Sequence, residues 1–308
     1  MRFVGWGVGR CRFIEDLETS KTTCAMVLSR IVVERLPDNP HVLKCELARP
    51  AQLNAFDEQL WSELESFFSS VRLDPSVRAI LLCAQGRHFT AGLDLAASAE
   101  LVSAEGEEPA RRALRIRETG KRWQASFSKI ASCGKPVIAC VHGACIGAGV
   151  EMISACDVRM CTEDATYAMA EIDLALAADV GGLQRFPKIV GNDSLVRELA
   201  FSGRRFGADE ALRLGFVSRV LPAREALLTS ATDLALQMAA KSPLALLGCK
   251  TLLNYTRDHS VDEALEYALT WNQALLQTGD MRSAAMGRLA KQVPCFGDLP
   301  DLRQRSRL

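Results

Sequence analysis

The sequence lacks any excess of charge: Lys+Arg and Asp+Glu each number 37 over 308 residues, and the formal net charge is zero. No global field therefore draws the chain to nucleic acid or to an anionic membrane. A small, locally placed anion site stays open. A long unbroken apolar run is also missing. The longest, Pro136 to Cys156, is interrupted by His142, Glu151 and several glycines, so no membrane-spanning helix is expected. Glycine (21) and proline (11) are ordinary in number, which excludes collagen-like and low-complexity architecture. The 4 histidines include no chelating pair, and the 11 cysteines include no Cys-x-x-Cys. Neither suits a metal centre. No Ser/His/Asp nucleophile elbow is present, and the N-terminus has no clear signal-peptide pattern.

What is present is the composition of a soluble globular chain, 48% apolar and 24% charged, long enough to bury a large core. Cys133, Cys140, Cys145, Cys156 and Cys161 sit in apolar runs. They read as buried free thiols that pack as small hydrophobes, which fits a reducing, intracellular setting better than a secreted disulfide framework.

Residues 1–29 show no period and read as an N-terminal extension. Residues 31–35 and 42–47 read as strands joined by the turn Pro37-Asp38-Asn39-Pro40. Asp57 reads as an N-cap, with Leu60, Leu64, Phe67, Phe68 and Val71 at helical spacing behind it. Residues 79–83, 136–141 and 158–161 read as buried strands. Residues 98–110 are polar. A helix rich in Arg and Lys follows, its charges forming a solvated face. This alternation predicts an α/β core over residues 30–238. Residues 216–221 read as a further strand. Residues 223–241, 243–256 and 258–278 read as helices, the last with an apolar side of Val261, Leu265, Ala268, Leu269 and Leu275. Residues 239–308 thus form a helical C-terminal region.

Two glycine-bearing segments stand where strands end: Thr90-Ala91-Gly92-Leu93-Asp94-Leu95 and Gly147-Ala148-Gly149. Small residues there let a ligand approach backbone N–H groups, and two converging donors make an oxyanion hole. Tight strand–helix packing explains the glycines equally well. A dinucleotide fingerprint lacks its third glycine and its acidic partner. Glu151 falls in the first turn of a helix inside an apolar run, and Glu171 and Asp179 flank Ile172, Leu174 and Leu176. Acids in a dry setting can divide into proton donor and proton acceptor. Spacing alone leaves Asp173 as a further candidate.

HFTAGLDL, the segment from His142 to Gly191 beginning HGACIGAGVEM, and ELAFSGRRFGADEALRLGFVSRV together resemble the crotonase (enoyl-CoA hydratase/isomerase) superfamily. The likeness runs from about Ile31 to at least Thr278 and is strongest to its dienoyl-CoA isomerase branch. It implies a spiral of strand–strand–helix turns and subunits that form trimers or hexamers. The activity implied is conversion of 3,5-dienoyl-CoA to 2,4-dienoyl-CoA in fatty-acid β-oxidation. Coenzyme A would enter as part of the substrate, with no further cofactor and no metal.

By the same resemblance, Leu93 and Ala148 N–H form the oxyanion hole. Ala91, Gly92, Asp94, Leu95 and Gly149 line the substrate. Asp179 is the base, Glu171 the acid, and Glu151 the third acid. Position 148 is usually glycine in the family, and position 151 is usually Asp in the isomerase branch. Glu151 with Glu171 also reproduces the two glutamates of hydratases, which add water to 2-enoyl-CoA. Asp179 and the chain-wide likeness favour isomerase over hydratase, and both over a non-catalytic acyl-CoA-binding homologue. The C-terminal Ser306-Arg307-Leu308 is a variant of the peroxisomal address. It implies an import receptor as partner and a peroxisome or glycosome as destination, with the mitochondrion as alternative.

Overall fold

The computed structural model of the protein describes residues 25–98 and 108–302. The tail Ser306-Arg307-Leu308, residues 1–24 of the N-terminal segment and residues 99–107 of the polar stretch lie outside the described residues.

Among the described residues ten strands run in chain order. They are β1 (Ala25–Val27), β2 (Ile31–Leu36), β3 (Asn39–Leu47), β4 (Ala79–Ala84), β5 (Val137–Val141), β6 (Ala144–Ile146), β7 (Val158–Thr162), β8 (Thr166–Ala168), β9 (Phe206–Gly207) and β10 (Arg219–Leu221). A seven-stranded sheet has the order β1-β2-β3-β4-β5-β7-β10, and a three-stranded sheet the order β6-β8-β9. β1, β2 and β3 are antiparallel neighbours, while β3, β4, β5, β7 and β10 pair in parallel. Each of β5 and β7 is followed at once by a short strand of the second sheet. After β4, Thr90 supplies a single-residue bridge to Cys145 in β6. Strand, short strand, helix is therefore the repeating unit. β1 lies inside the segment read as an extension, and three residues are too few to show a period. The strand expected over 216–221 shrinks to Arg219–Leu221, because the Phe216 side chain is fully buried in an aromatic cluster with Tyr167 and Phe186.

The helices are α1 (Glu58–Leu73), α2 (Pro109–Ser132), α3 (Ala148–Ser154), α4 (Gly182–Arg185), α5 (Asp193–Ser202), α6 (Ala208–Arg213), α7 (Arg224–Ala239), α8 (Pro243–Thr256), α9 (Val261–Leu275) and α10 (Gly279–Ala290). Asp57 caps α1 as expected, its carboxylate accepting the Leu60 N–H at 2.9 Å. Strand alternation divides the core. Leu43, Cys45, Leu47, Ile80, Leu82, Val137 and Ala139 face α1, α2 and α3. Val42, Leu81, Cys83, Ile138, Cys140 and Met160 face Leu227, Ala231, Ala235 and Ala239 of α7. Residues four apart share one helix face, and the alanines let α7 lie close to the sheet. Burying a side chain the size of Leu or Phe contributes roughly 1.5–3 kcal/mol, so these two layers dominate stability. The named core cysteines are buried and unpaired.

α2 is braced against α1 by aromatic packing. Trp123 stacks on Trp61 at 5.2 Å, and Phe127 lies 4.8 Å from the same indole. α9 does not bury its apolar face within the protomer: Val261, Leu265 and Leu269 are 70%, 60% and 62% exposed. Among the described residues no helix is long and apolar enough to cross a membrane.

Candidate active site

Ligands of open α/β sheets gather beyond the carboxyl ends of the strands, and both glycine segments leave the sheet at that end. The loop after β4 runs alongside β6. Thr90 N–H donates to Ala144 O at 2.9 Å, and Ile146 N–H to Thr90 O at 3.1 Å. Gly92, at φ +88°, lies flat on β6: a Cβ there would sit 2.8 Å from Ile146 O and 3.8 Å from Ala148 N. Gly149 is pressed on Thr90, whose Cγ2 would be 2.3 Å from an added Cβ. The packing reading of these glycines is therefore physically real, and it also brings Leu93 beside the start of α3.

Leu93 forms a parallel bridge with Phe56. Its bonds are made by flanking groups, Phe56 N–H to Gly92 O at 2.8 Å and Asp94 N–H to Phe56 O at 3.0 Å. The Leu93 N–H consequently points away from Phe56. Ala148 is the first residue of α3, so its N–H has no acceptor within the helix. Ala91 and Leu95 are exposed, while Asp94 is tied to the loop's own structure. Asp94 pairs with Arg49 at 3.2 Å and accepts the Ala97 N–H at 3.1 Å. That N–H bond, then Arg49, holds its carboxyl below the ordinary range. Arg49 also reaches Asp57 at 3.3 Å, a link no sequence pattern marked.

The three acids come together. Glu151, in the first turn of α3, is only 2% exposed. Its Oε1 accepts the N–H of Gly182 at 2.8 Å and of Val180 at 3.2 Å. Burial first, then the neighbouring charges of Glu171 and Asp179, push its pKa to about 8, against the pull of those two N–H bonds. Glu171 projects from a short 3₁₀ turn (Ala170–Leu174) and abuts Gly147, where a Cβ would sit 2.9 Å from its Oε1. Its Oε2 is buried without a hydrogen-bond partner among the described residues. Burial, then the Asp179 charge, raises it. Asp179 is the outermost, solvent-accessible yet raised by partial desolvation. Asp173 is exposed on the same turn and faces away, toward Gly203. His142 is a satisfied core residue, its Nε2 3.0 Å from Gly86 O.

Next to the oxyanion segments, a cavity of about 430 Å³ is lined by Ala91 and Ile146 together with Arg87, His88 and Arg205. Arg87 and Arg205 were not legible as a pair because they lie on separate segments. Another cavity, of about 560 Å³, is lined by Gly134, Lys135 and Pro75 at the opposite ends of the strands, away from the acids. Among the described residues no group of three or more His, Cys, Asp or Glu side chains is arranged to hold a metal ion.

A family model for enoyl-CoA hydratase/isomerase matches residues 38–298. The mouse mitochondrial Delta(3,5)-Delta(2,4)-dienoyl-CoA isomerase is 46% identical over 253 residues, covering 82% of this chain and 77% of that protein. The peroxisomal isomerase of Arabidopsis thaliana is 41% identical, covering 82% and 91%. The crystal structure of an enoyl-CoA hydratase from Bacillus anthracis superposes with a TM-score of 0.79 at 26% identity, covering 87% of this chain and 99% of that one. With its strand–strand–helix spiral, its two opposed glycine segments and its clustered acids, the chain belongs to the enoyl-CoA hydratase/isomerase family.

Proposed function

We propose that the protein is an acyl-CoA isomerase that converts 3,5-dienoyl-CoA to 2,4-dienoyl-CoA in fatty-acid β-oxidation. The observation that carries this is the cluster of three acids with graded environments. Asp179 is the outermost and most exposed, which suits a base, while burial favours the neutral forms of Glu151 and Glu171. The identities to dienoyl-CoA isomerases over most of the chain support the same reading.

In this mechanism Asp179 takes a proton from C2, next to the thioester carbonyl. The electron pair spreads through the diene onto the carbonyl oxygen, which the Leu93 and Ala148 N–H groups stabilise. Protonated Glu171 delivers a proton to C6, so one proton leaves and one arrives. The Ala148 methyl sits where the family usually has none, but its N–H donor is retained. Ala91, Gly92, Leu95 and Gly149 shape the substrate channel, and Asp94 holds the loop through Arg49. Arg87 and Arg205 offer cations to the phosphates of coenzyme A. The chemistry needs no cofactor beyond the coenzyme A of the substrate.

The side-by-side Glu151 and Glu171 favour a second reading, hydration of 2-enoyl-CoA. Assay of the purified protein against both thioesters separates them: the isomerase reading predicts faster turnover of 3,5-dienoyl-CoA, and faster hydration would reverse the order.

The exposed apolar faces of α9 and α10, with Leu265, Leu269, Met286 and Leu289, support self-association as a homotrimer or homohexamer. Relatives are named mitochondrial or peroxisomal, which supports an organelle. The Ser306-Arg307-Leu308 tail favours the peroxisome through its import receptor.

A further inference from the structure

The segment Asp179–Gly182 is gripped from both sides. Inward, the Val180 and Gly182 N–H groups donate to Glu151 Oε1 at 3.2 and 2.8 Å. Outward, its carbonyls are held by side chains linked to α2. Gln124 Nε2 donates to Asp179 O at 2.7 Å. Arg185 Nη1 donates to Val180 O at 3.4 Å, and Arg185 Nη2 donates to Ser128 Oγ at 3.0 Å. Gln124 and Ser128 are four residues apart, on one face of α2.

The guanidinium lies directly on the backbone it holds. Gly181 has φ +122°, and a Cβ there would fall 1.8 Å from Arg185 Nη1. Only glycine leaves that space. Partial burial lowers the pKa of the half-buried Arg185, and a guanidinium withdrawn from water is stabilised where its donors are used. α2 is itself a fixed reference. Ser126 Oγ donates to Trp61 O at 2.9 Å, and Trp123 Nε1 donates to Glu58 Oε2 at 3.0 Å, beside the Trp61 stacking already described.

We infer that Gln124, Ser128 and Arg185 are positioning residues: through them α2 fixes the Asp179–Gly182 segment, and with it the Asp179 carboxylate relative to Glu151. None of the three is assigned contact with substrate. Gln124 acts on Asp179 through its carbonyl, and Ser128 acts through Arg185. A displacement of about 1 Å in a catalytic group can cost on the order of 10²-fold in rate, so modest loosening registers in turnover before it registers in binding. The acyl-CoA site lies on other segments, and substrate affinity should be largely retained. This inference rests on the isomerase reading.

The test is steady-state kinetics on 3,5-dienoyl-CoA for wild type, Gln124→Met, Ser128→Ala and Ser128→Thr, with thermal unfolding alongside. Gln124→Met and Ser128→Ala should each lower kcat about tenfold, with KM within about twofold. Ser128→Thr keeps an acceptor hydroxyl and should restore most of the turnover. Wild-type kcat in both Gln124→Met and Ser128→Ala would overturn the inference while leaving the isomerase reading intact. So would equal loss in Ser128→Ala and Ser128→Thr, or a rise in KM at constant kcat. A wild-type protein inert toward 3,5-dienoyl-CoA would instead overturn the reading, and the inference with it.

Discussion

Glu151 and Gly182 are in contact at the limit of what a backbone allows. Gly182 N–H donates to Glu151 Oε1 at 2.8 Å, and a Cβ on residue 182 would begin 2.7 Å from Glu151 Cγ. A glycine at this spot brings a peptide N–H to a buried carboxyl that has few other partners.

Replacing Gly182 by Ala should therefore displace Glu151 and the Asp179 segment together. The φ of Gly182 is not in the left-handed region, so the backbone itself tolerates alanine. Turnover should fall about tenfold or more, with far-ultraviolet circular dichroism unchanged. Wild-type kcat in this variant would show that the contact is not tight.

Glu151 also makes stability depend on pH. Its pKa is about 8 in the folded chain, against an ordinary 4.5. The folded state keeps a proton that the unfolded state releases, so stability falls as pH rises from about 4.5 to about 8 and levels off above. The full swing from this group is on the order of 5 kcal/mol. Glu171 and Asp179 are raised as well and act with the same sign. Denaturant unfolding at pH 5 and pH 8 should show the wild type losing much more stability than Glu151→Gln. Equal losses would mean that Glu151 is ionised in the folded chain.

The oxyanion loop gives a separate prediction. Gly92→Ala places a methyl 2.8 Å from Ile146 O at φ +88°, so the loop must lift and the Leu93 N–H with it. Loss of one oxyanion donor costs roughly 10²–10³ in turnover. A loss below about threefold would indicate that the Leu93 N–H does not serve the carbonyl.

The tail is testable without the enzyme. The last ten or so residues, ending in Ser306-Arg307-Leu308, should carry a fluorescent protein into peroxisomes. Diffuse fluorescence would remove the peroxisomal assignment, and mitochondrial fluorescence would favour the alternative.

Much of this molecule was legible from pattern alone. α1 announces itself by Leu60, Leu64, Phe67 and Phe68 behind the Asp57 cap, and Glu151 by being an acid in an apolar run. Short elements were not legible: β6, β8 and β9 hold two or three residues each, below any period. α9 was read correctly as amphipathic and starts at Val261, behind a Ser260–Glu263 capping box, rather than at Asp258. Its apolar face is nonetheless exposed within the protomer, which sequence periodicity cannot foresee. Gln124, Ser128 and Arg185 escaped notice because Gln124 meets the Asp179 carbonyl 55 residues away and the Ser128 hydroxyl meets the Arg185 guanidinium 57 residues away. An ordinary Gln on a charged helix gives no local sign of such a contact.

The central claim is that Asp179 is the base of a dienoyl-CoA isomerase, and the most direct measurement is the turnover of 3,5-dienoyl-CoA by Asp179→Asn beside the wild type. The isosteric amide cannot accept the C2 proton, so kcat should fall by roughly 10²–10⁴, while any hydration of 2-enoyl-CoA that relies on Glu151 and Glu171 persists. A variant that forms 2,4-dienoyl-CoA at the wild-type rate would contradict the account.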